Sequence, residues 1–405
     1  MRYKISMDVI VRKYGGSSLA TPEQILQTAQ QIAQLHREGH PTITVVSAMG
    51  KTTDELVQLA YKVSSHPNRR ELDMLLTTGE RISMSLLSMA LHDLNCPAIS
   101  FTGSQAGVFT NDDHSDALIH ELKPIRVVEA LENHRPVVLA GYQGVDPKTK
   151  EITTLGRGGS DTTAVAMAGY FQSKRCEILK DVNGLASADP KLVPTAHFLK
   201  EVSYNSLLEM CFWGSKILHI RSVELAKNLN VPLFIGSSSQ PNIGTRVVKE
   251  TKMYEDFKIL SVNSHKEVVH FRIQSSNLAD GFSKWNQFLK TKNLPSLSAL
   301  ASIYDKNEKA LRFMFTADSE IIHAIQQSLS SEFSDITDMN LILSSVTITA
   351  NQRVNEGTRL QAMTALAEAG ISIEKMLTTP LSCTFFVSPS QREDAICCLH
   401  SLTFS

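Results

Sequence analysis

The sequence predicts a doubly wound, mostly parallel α/β sheet followed by two small ferredoxin-like α+β modules, and three observations predict it. Short, near-continuous apolar runs alternate with helical patterns up to about residue 240, as strands buried on both faces do. A polar stretch broken by Pro and Gly then spans residues 237–257. Beyond it, two units of about 70 residues each read strand, helix, strand, strand, helix. A chain of 405 residues has room for two or three such cores.

Taken in order, residues 7–12 read as a strand that ends in a glycine turn. The next helix starts with Thr21 as N-cap, Pro22 in the first turn and Gln24 closing a capping box. Residues 42–47 form a second strand, a helix begins near Asp54, and an amphipathic helix covers 70–94. Strands at 98–101, 136–140, 176–179 and 231–235 complete the apolar series. In the first C-terminal unit the expected elements are 268–273, 279–289, 296–304, 311–315 and 319–330. In the second they are 345–349, 356–368, 371–377, 383–387 and 391–399. The second unit nearly lacks a last strand, so residues 258–262 are expected to supply one across the pair and interleave the two modules. The expected domains are 1–245, 258–333 and 338–405.

Composition narrows the function class. With 42% hydrophobic and 20% charged residues and a formal net charge of -1, nothing drives the chain toward nucleic acid or acidic membranes. Six scattered cysteines have no zinc spacing and read as reduced thiols, and no apolar stretch spans a bilayer. The expected location is the cytoplasm.

Residues 153–163, TTLGRGGSDTT, pack three glycines, Arg157, Asp161 and several hydroxyls just before an apolar helix at 164–171. Glycines let backbone approach an anion, a helix N-terminus favours negative charge, and Arg157 offers a planar fork for carboxylate or phosphate. The same residues also fit a plain glycine loop with Asp161 as the helix N-cap. Lys13-Tyr14-Gly15-Gly16-Ser17-Ser18 follows the first strand and suits phosphate, or a structural turn with a surface lysine.

KYGGSS resembles the KFGGTS signature of the aspartate kinases, in the amino-acid-kinase superfamily. Further segments match that family in order: VSAMGKTTDEL at 46–56, LTTGERIS at 76–83, TTLGRGGSDTTA at 153–164, KDVNGLASADPK at 180–191, GSKILH at 214–219 and VPLFIGSS at 231–238. The tail resembles the family's paired regulatory ACT modules, most closely in LAEAGISIEKM at 366–376. The resemblance implies the amino-acid-kinase fold and transfer of the ATP γ-phosphoryl group to the β-carboxylate of L-aspartate, with Mg²⁺ accompanying ATP.

By the same resemblance Lys13 contacts the transferring phosphate from a loop of Gly15, Gly16 and Ser17, and Lys216 is a second nucleotide-contacting cation. Arg157 takes a substrate carboxylate, Glu80 the amino group, and Ser47 and Thr53 complete the pocket. Asp161 orients the site electrostatically, and Lys180, Asp181 and Lys191 belong to the nucleotide turn. The carboxylate nucleophile is already ionised at neutral pH, so no strong base is required.

Three positions depart from the pattern: Lys180 stands where relatives carry Thr, Ala186 where they carry Tyr, and Lys191 where Arg is common. Both ACT-like loops, SNLADGF at 276–282 and RVNEGTR at 353–359, lack the usual Pro-Gly step. The resemblance implies a homodimer or larger homo-oligomer through these modules and feedback by lysine or threonine. A catalytically weak amino-acid sensor, or a kinase of the superfamily acting on glutamate or a nucleoside monophosphate, are the alternatives.

Overall fold

The computed structural model of the protein describes residues 8–249, 257–292, 299–316, 319–329 and 333–404. The described chain gathers into two compact units, the first holding residues 8–186, 198–212 and 216–249. The second holds Ser187–His197, Trp213–Ser215 and the described residues from 257 onward. Among the described residues, no helix is long and apolar enough to cross a membrane.

The first unit opens with β1 (Ile10–Tyr14), α1 (Pro22–Arg37), β2 (Thr42–Val46), α2 (Thr52–Val63), α3 (Arg69–Asp93) and β3 (Ile99–Phe101). It continues through β4 (Val108–Thr110), β5 (Ile119–Leu122), α4 (Ile125–Glu132), β6 (Val137–Ala140), β7 (Gln143–Val145) and β8 (Ile152–Thr154). Then come α5 (Gly159–Phe171), β9 (Cys176–Lys180), β10 (Glu201–Ser203), α6 (Tyr204–Phe212), α7 (Ile220–Leu229), β11 (Leu233–Ser237) and β12 (Gly244–Val248).

Eight strands form one sheet in the order β10-β12-β11-β9-β1-β2-β6-β3, parallel throughout except for the β11–β12 pair. The central strands are buried almost completely and are largely apolar, with Arg12 and Lys13 in β1, two threonines in β2 and Glu177 and Lys180 in β9 as the polar interruptions. On one face, Ile25, Ile32, Leu87 and Leu91 from α1 and α3 pack against Tyr14, Val46, Val138 and Leu179. The α1 start is as expected, with Thr21 capping Gln24 and Gln24 reaching back. The polar stretch after residue 237 begins as the turn of a hairpin: β12 returns antiparallel to β11, so the sheet extends to Val248. Residues 250–256 of that stretch lie outside the described residues. Four short strands form a separate small sheet, β5-β4-β7-β8, which three- and four-residue strands leave almost without a period to detect.

The second unit contains β13 (Ile259–Gln274), α8 (Leu278–Thr291), β14 (Ala301–Asp305), β15 (Ala310–Phe315), α9 (Ser319–Ser328) and β16 (Ile336–Ala350). It ends with α10 (Glu356–Glu368), β17 (Lys375–Thr378), β18 (Ser382–Val387) and α11 (Arg392–Phe404). Its six strands run β14-β15-β13-β16-β18-β17, all antiparallel. The two expected strands at 258–262 and 268–273 are one long strand, β13, interrupted by register shifts. Its first half pairs with the end of β16 that also pairs β18, and its second half pairs β15 as well.

Two cores flank this sheet. One is aromatic, built on Phe271, Trp285, Phe288, Phe313 and Phe315. The other joins Val262, Val346, Leu366, Phe385 and Leu399, and it also buries Ala188 and Val193. Those two residues explain why Ser187–His197 belongs to this unit although it lies inside the first 245 residues. The strand expected at 371–377 starts later, at Lys375, because Gly370 at φ +72 ends α10 and turns Ile371 into the core. Residues 296–298 of the strand expected at 296–304 lie outside the described residues.

Candidate active site

The site-bearing residues of the first unit collect where β1, β2, β6 and β9 end and α5 begins, the end of a parallel sheet at which ligands bind. The entry to α5 is set by glycine. Gly158 is the N-cap at φ +71, and a Cβ there would lie 2.1 Å from the Cβ of His219, so only glycine fits. Asp161 is therefore not the helix cap. It is the third helical residue, buried with its carboxylate inside the unit.

Lys13, at the end of β1, is also buried, and its Nζ lies 2.7 Å from Asp161 Oδ1. Lys180, the last residue of β9, brings a second ammonium to 3.7 Å from Asp161 Oδ2 and stays partly exposed. Burial pushes the Asp161 carboxyl up, but Lys13 and Lys180 together outweigh it and hold Asp161 below its usual range. Burial pulls the Lys13 ammonium down, and Lys180 adds to that, against the upward pull of Asp161. Two cations thus face one carboxylate, leaving a net positive charge in a water-poor place. Such a charge suits a phosphate.

Glu80 sits midway along the buried face of α3. Gly79 before it lets the helix approach the loop after β2, since a Cβ would lie 2.8 Å from the Ala48 Cβ. The Ala48 N–H donates to Glu80 Oε1 at 3.1 Å, while Oε2 is buried with no hydrogen-bond partner among the described residues. Burial pushes the Glu80 carboxyl up to about 7, against the pull of Ala48 and Lys13. A buried acceptor without a partner is costly unless a ligand supplies the donor.

The remaining expected residues divide into three groups. Gly15 is buried, and Gly16 opens a 3-10 turn in which Ser17 is exposed. Ser47 follows β2 with its N–H on the Tyr14 carbonyl at 3.2 Å, and Thr53 lies in the first turn of α2; both are half-buried. Arg157 is exposed between Gly156 and Gly158, both at φ +71. Asp181 is exposed in the turn after β9, and Lys216 is exposed four residues before α7. Lys191 is exposed, its N–H on Asp189 Oδ1 at 2.9 Å, and it belongs to the second unit.

Three residues of this neighbourhood escape a reading of the sequence. Tyr142, just past β6, holds φ +70, which is unusual for a large side chain. Burial pushes its phenol up to about 12, and the charges of Glu80, Asp73 and Arg157 all act on it. Asp73 is fully buried on the same face of α3 as Glu80. Phe198 forms an isolated antiparallel bridge with Ala186 and is 43% exposed. The detectable signals are a tyrosine inside the GYQG turn and a carboxylate at a core position of an amphipathic helix.

Comparison with known proteins places the chain in a family. The profile of the amino acid kinase family matches residues 8–237. The aspartokinase of Mycolicibacterium smegmatis is 38% identical over 403 residues, 97% of this chain and 96% of that protein. The aspartokinase of Geobacillus stearothermophilus is 44% identical over 267 residues, 66% of this chain and 65% of that protein. Among solved structures, E. coli aspartokinase III in complex with aspartate and ADP (R-state) superposes with a TM-score of 0.78 at 22% identity, over 98% of this chain and all of that one. The aspartate kinase from Synechocystis gives a TM-score of 0.55 at 31% identity, over 98% of this chain and 69% of that one. The first likeness is one of fold, and the full-length identity to the Mycolicibacterium enzyme carries it to the family level. The chain belongs to the amino acid kinase family and, within it, to the aspartokinases.

Proposed function

We propose that this aspartokinase transfers the γ-phosphoryl group of ATP to the β-carboxylate of L-aspartate at the Lys13–Asp161–Lys180 cluster, with Glu80 and Arg157 holding the amino acid. The observation that carries the reading is the buried ion cluster with two ammonium groups around one carboxylate. A β-carboxylate oxygen attacks the γ-phosphorus, the bond to the bridging oxygen breaks, and ADP leaves with its electron pair. No proton moves in that step. The barrier is the approach of two anions, and Lys13 and Lys180 lower it by neutralising charge on the transferring group. Asp161 holds the two cations in place and is too committed to them to serve as a base.

The aspartate ammonium would donate to the unpartnered Glu80 Oε2 and stabilise Glu80 as a carboxylate. Arg157 would clamp the α-carboxylate, with Ser47 and Thr53 lining the pocket. Gly15, Gly16 and Ser17 would present backbone to the phosphates, and Asp181 and Lys216 would contact the nucleotide. The ring of Phe198, exposed beside Ala186, offers an apolar surface for the base.

Mg²⁺ fits as part of the nucleotide rather than as a resident of the chain. Both Asp161 oxygens face ammonium groups, and no cluster of three metal-ligating side chains occurs among the described residues. The ion would be held by ATP phosphates and water.

The second unit reads as two interleaved ACT modules that assemble the enzyme as a homo-oligomer and sense an amino acid end product. The whole chain superposes on E. coli aspartokinase III in complex with lysine and aspartate (T-state) with a TM-score of 0.70 over 98% of its length, which makes lysine the first effector to test and threonine the second. In both effector loops an asparagine replaces the Pro-Gly step as helix cap: Asn277 accepts from the Asp280 N–H and Asn355 from the Thr358 N–H. Six free cysteines and a nucleotide co-substrate suit a reducing cytoplasm.

Trapping the acyl phosphate with hydroxylamine tests the reading. With ATP, Mg²⁺ and aspartate the chain should yield aspartyl hydroxamate, and with glutamate little or none. Absence of product with aspartate would overturn it.

A further inference from the structure

Asp73 is fully buried and gathers five donors. Its Oδ1 accepts from Thr154 Oγ1 at 2.6 Å and Ser115 Oγ at 3.4 Å. Its Oδ2 accepts from the Thr154 N–H at 3.1 Å, the Ser115 N–H at 3.1 Å and His114 Nδ1 at 2.8 Å. A carboxylate so placed is expensive to bury, and the donors it collects come from two segments remote in sequence. Both lead to the amino-acid end of the site.

Thr154 ends β8, three residues before Arg157, and the next residue, Leu155, donates its N–H to the Tyr142 carbonyl at 2.8 Å. Ser115 precedes Asp116, whose Oδ1 lies 3.0 Å from where a Cβ on Gly156 would stand. The Ala117 N–H returns to the Thr154 carbonyl at 2.9 Å. Arg221 ties the same root from outside, donating to the carbonyls of Leu155 at 2.7 Å and Ala117 at 2.6 Å. On the helix side, Asp73 and Glu80 are seven residues apart on the buried face of α3, two turns or about 10 Å along a rigid rod.

We propose that Asp73 is a positioning residue for aspartate: it fixes the root of the Arg157 loop, and with it the backbone at Tyr142, relative to Glu80. The inference rests on Glu80 and Arg157 holding aspartate, as proposed above. Asp73 touches neither substrate. It acts through Thr154, so its loss shifts the Arg157 loop without removing any group from the ATP side. A displacement of that kind costs affinity and orientation for one substrate only.

Thr154→Val, Thr154→Ser, Asp73→Asn and Arg157→Ala variants, each checked for folding by circular dichroism and thermal melting, test it through separate KM values for aspartate and ATP. Thr154→Val should raise the aspartate KM by about tenfold and leave the ATP KM within about twofold, with Thr154→Ser restoring the parent values. Asp73→Asn should move the same way and further. If Asp73→Asn does not fold, Thr154→Val and its serine rescue decide alone. Folded variants with a lower melting temperature but an unchanged aspartate KM, or with both KM values raised equally, would overturn the proposal and leave Asp73 as a structural tie. Arg157→Ala separates the two layers. A raised aspartate KM there with an unmoved Thr154→Val sinks only this inference, whereas an unmoved Arg157→Ala sinks the reading beneath it as well.

Discussion

Lys13 Nζ and Asp161 Oδ1 stand 2.7 Å apart in a place where neither side chain exposes more than 6% of its surface. The strand end and the helix start that carry them are adjacent in the fold and almost 150 residues apart in the sequence. Breaking such a pair leaves a buried charge with a diminished partner set. Lys13→Met should therefore lose about 3–5 kcal/mol of stability, read by denaturant unfolding. Lys13→Met combined with Asp161→Asn should recover much of that loss. Both variants should fall at least about 100-fold in kcat, because stability returns in the double variant and the cation does not. A double variant that regains activity along with stability would show that the pair is only structural.

Glu80 links pH to substrate affinity. Its carboxyl titrates near 7 because burial disfavours the charged form, and only the carboxylate can accept from an ammonium. The kcat/KM for aspartate should therefore rise with pH through about 7 and flatten above it. Glu80→Gln should flatten the profile and raise the aspartate KM about 10- to 100-fold. The stability sign is opposite. The folded state holds the proton to a higher pH than the unfolded value of 4.5, so this group's contribution to stability declines as pH rises from about 4.5 to about 7. Glu80→Gln should be more stable than the parent at pH 8 and closer to it at pH 4.

Lys180 is the chain's own variation on the nucleotide turn, and it brings a second ammonium 3.7 Å from Asp161. Lys180→Thr should raise the ATP KM about fivefold while the aspartate KM holds within about twofold. Equal KM values for parent and variant would place Lys180 outside the phosphate contacts.

Phe198 should matter to the base rather than the phosphates. Phe198→Ala should raise the ATP KM by about tenfold, the scale of a lost aromatic stack on a nucleobase, with inorganic triphosphate inhibition unchanged. Weakened inhibition by inorganic triphosphate alongside the raised ATP KM would point to a wider collapse of the turn.

Much of this was legible in advance, for identifiable reasons. The strands that carry Lys13 and Lys180 are short and mostly buried, and a glycine turn follows the first of them, while the α1 capping box is a local signal. Arg157 and Asp161 stand out by their chemistry in the glycine-rich run, whereas Glu80 is reached only through motif resemblance. Asp161 read alone looks like an N-cap, and only the φ of Gly158 removes that role. Asp73 escapes because its importance lies in a partner far along the chain: it meets Thr154 across 81 residues. The long strand β13 was read as two, since its register shifts and polar middle interrupt the alternation that marks a strand. Ser187–His197 looks like part of the nucleotide turn in sequence and is claimed by the other unit through Ala188 and Val193.

The most direct measurement of the central claim is a crystal structure of this chain with aspartate and a non-hydrolysable ATP analogue. The account predicts the γ-phosphate within about 3 Å of Lys13 Nζ, and the aspartate ammonium at hydrogen-bond distance from Glu80 Oε2. A γ-phosphate more than about 6 Å from Lys13, or an aspartate whose ammonium faces away from Glu80, would contradict it.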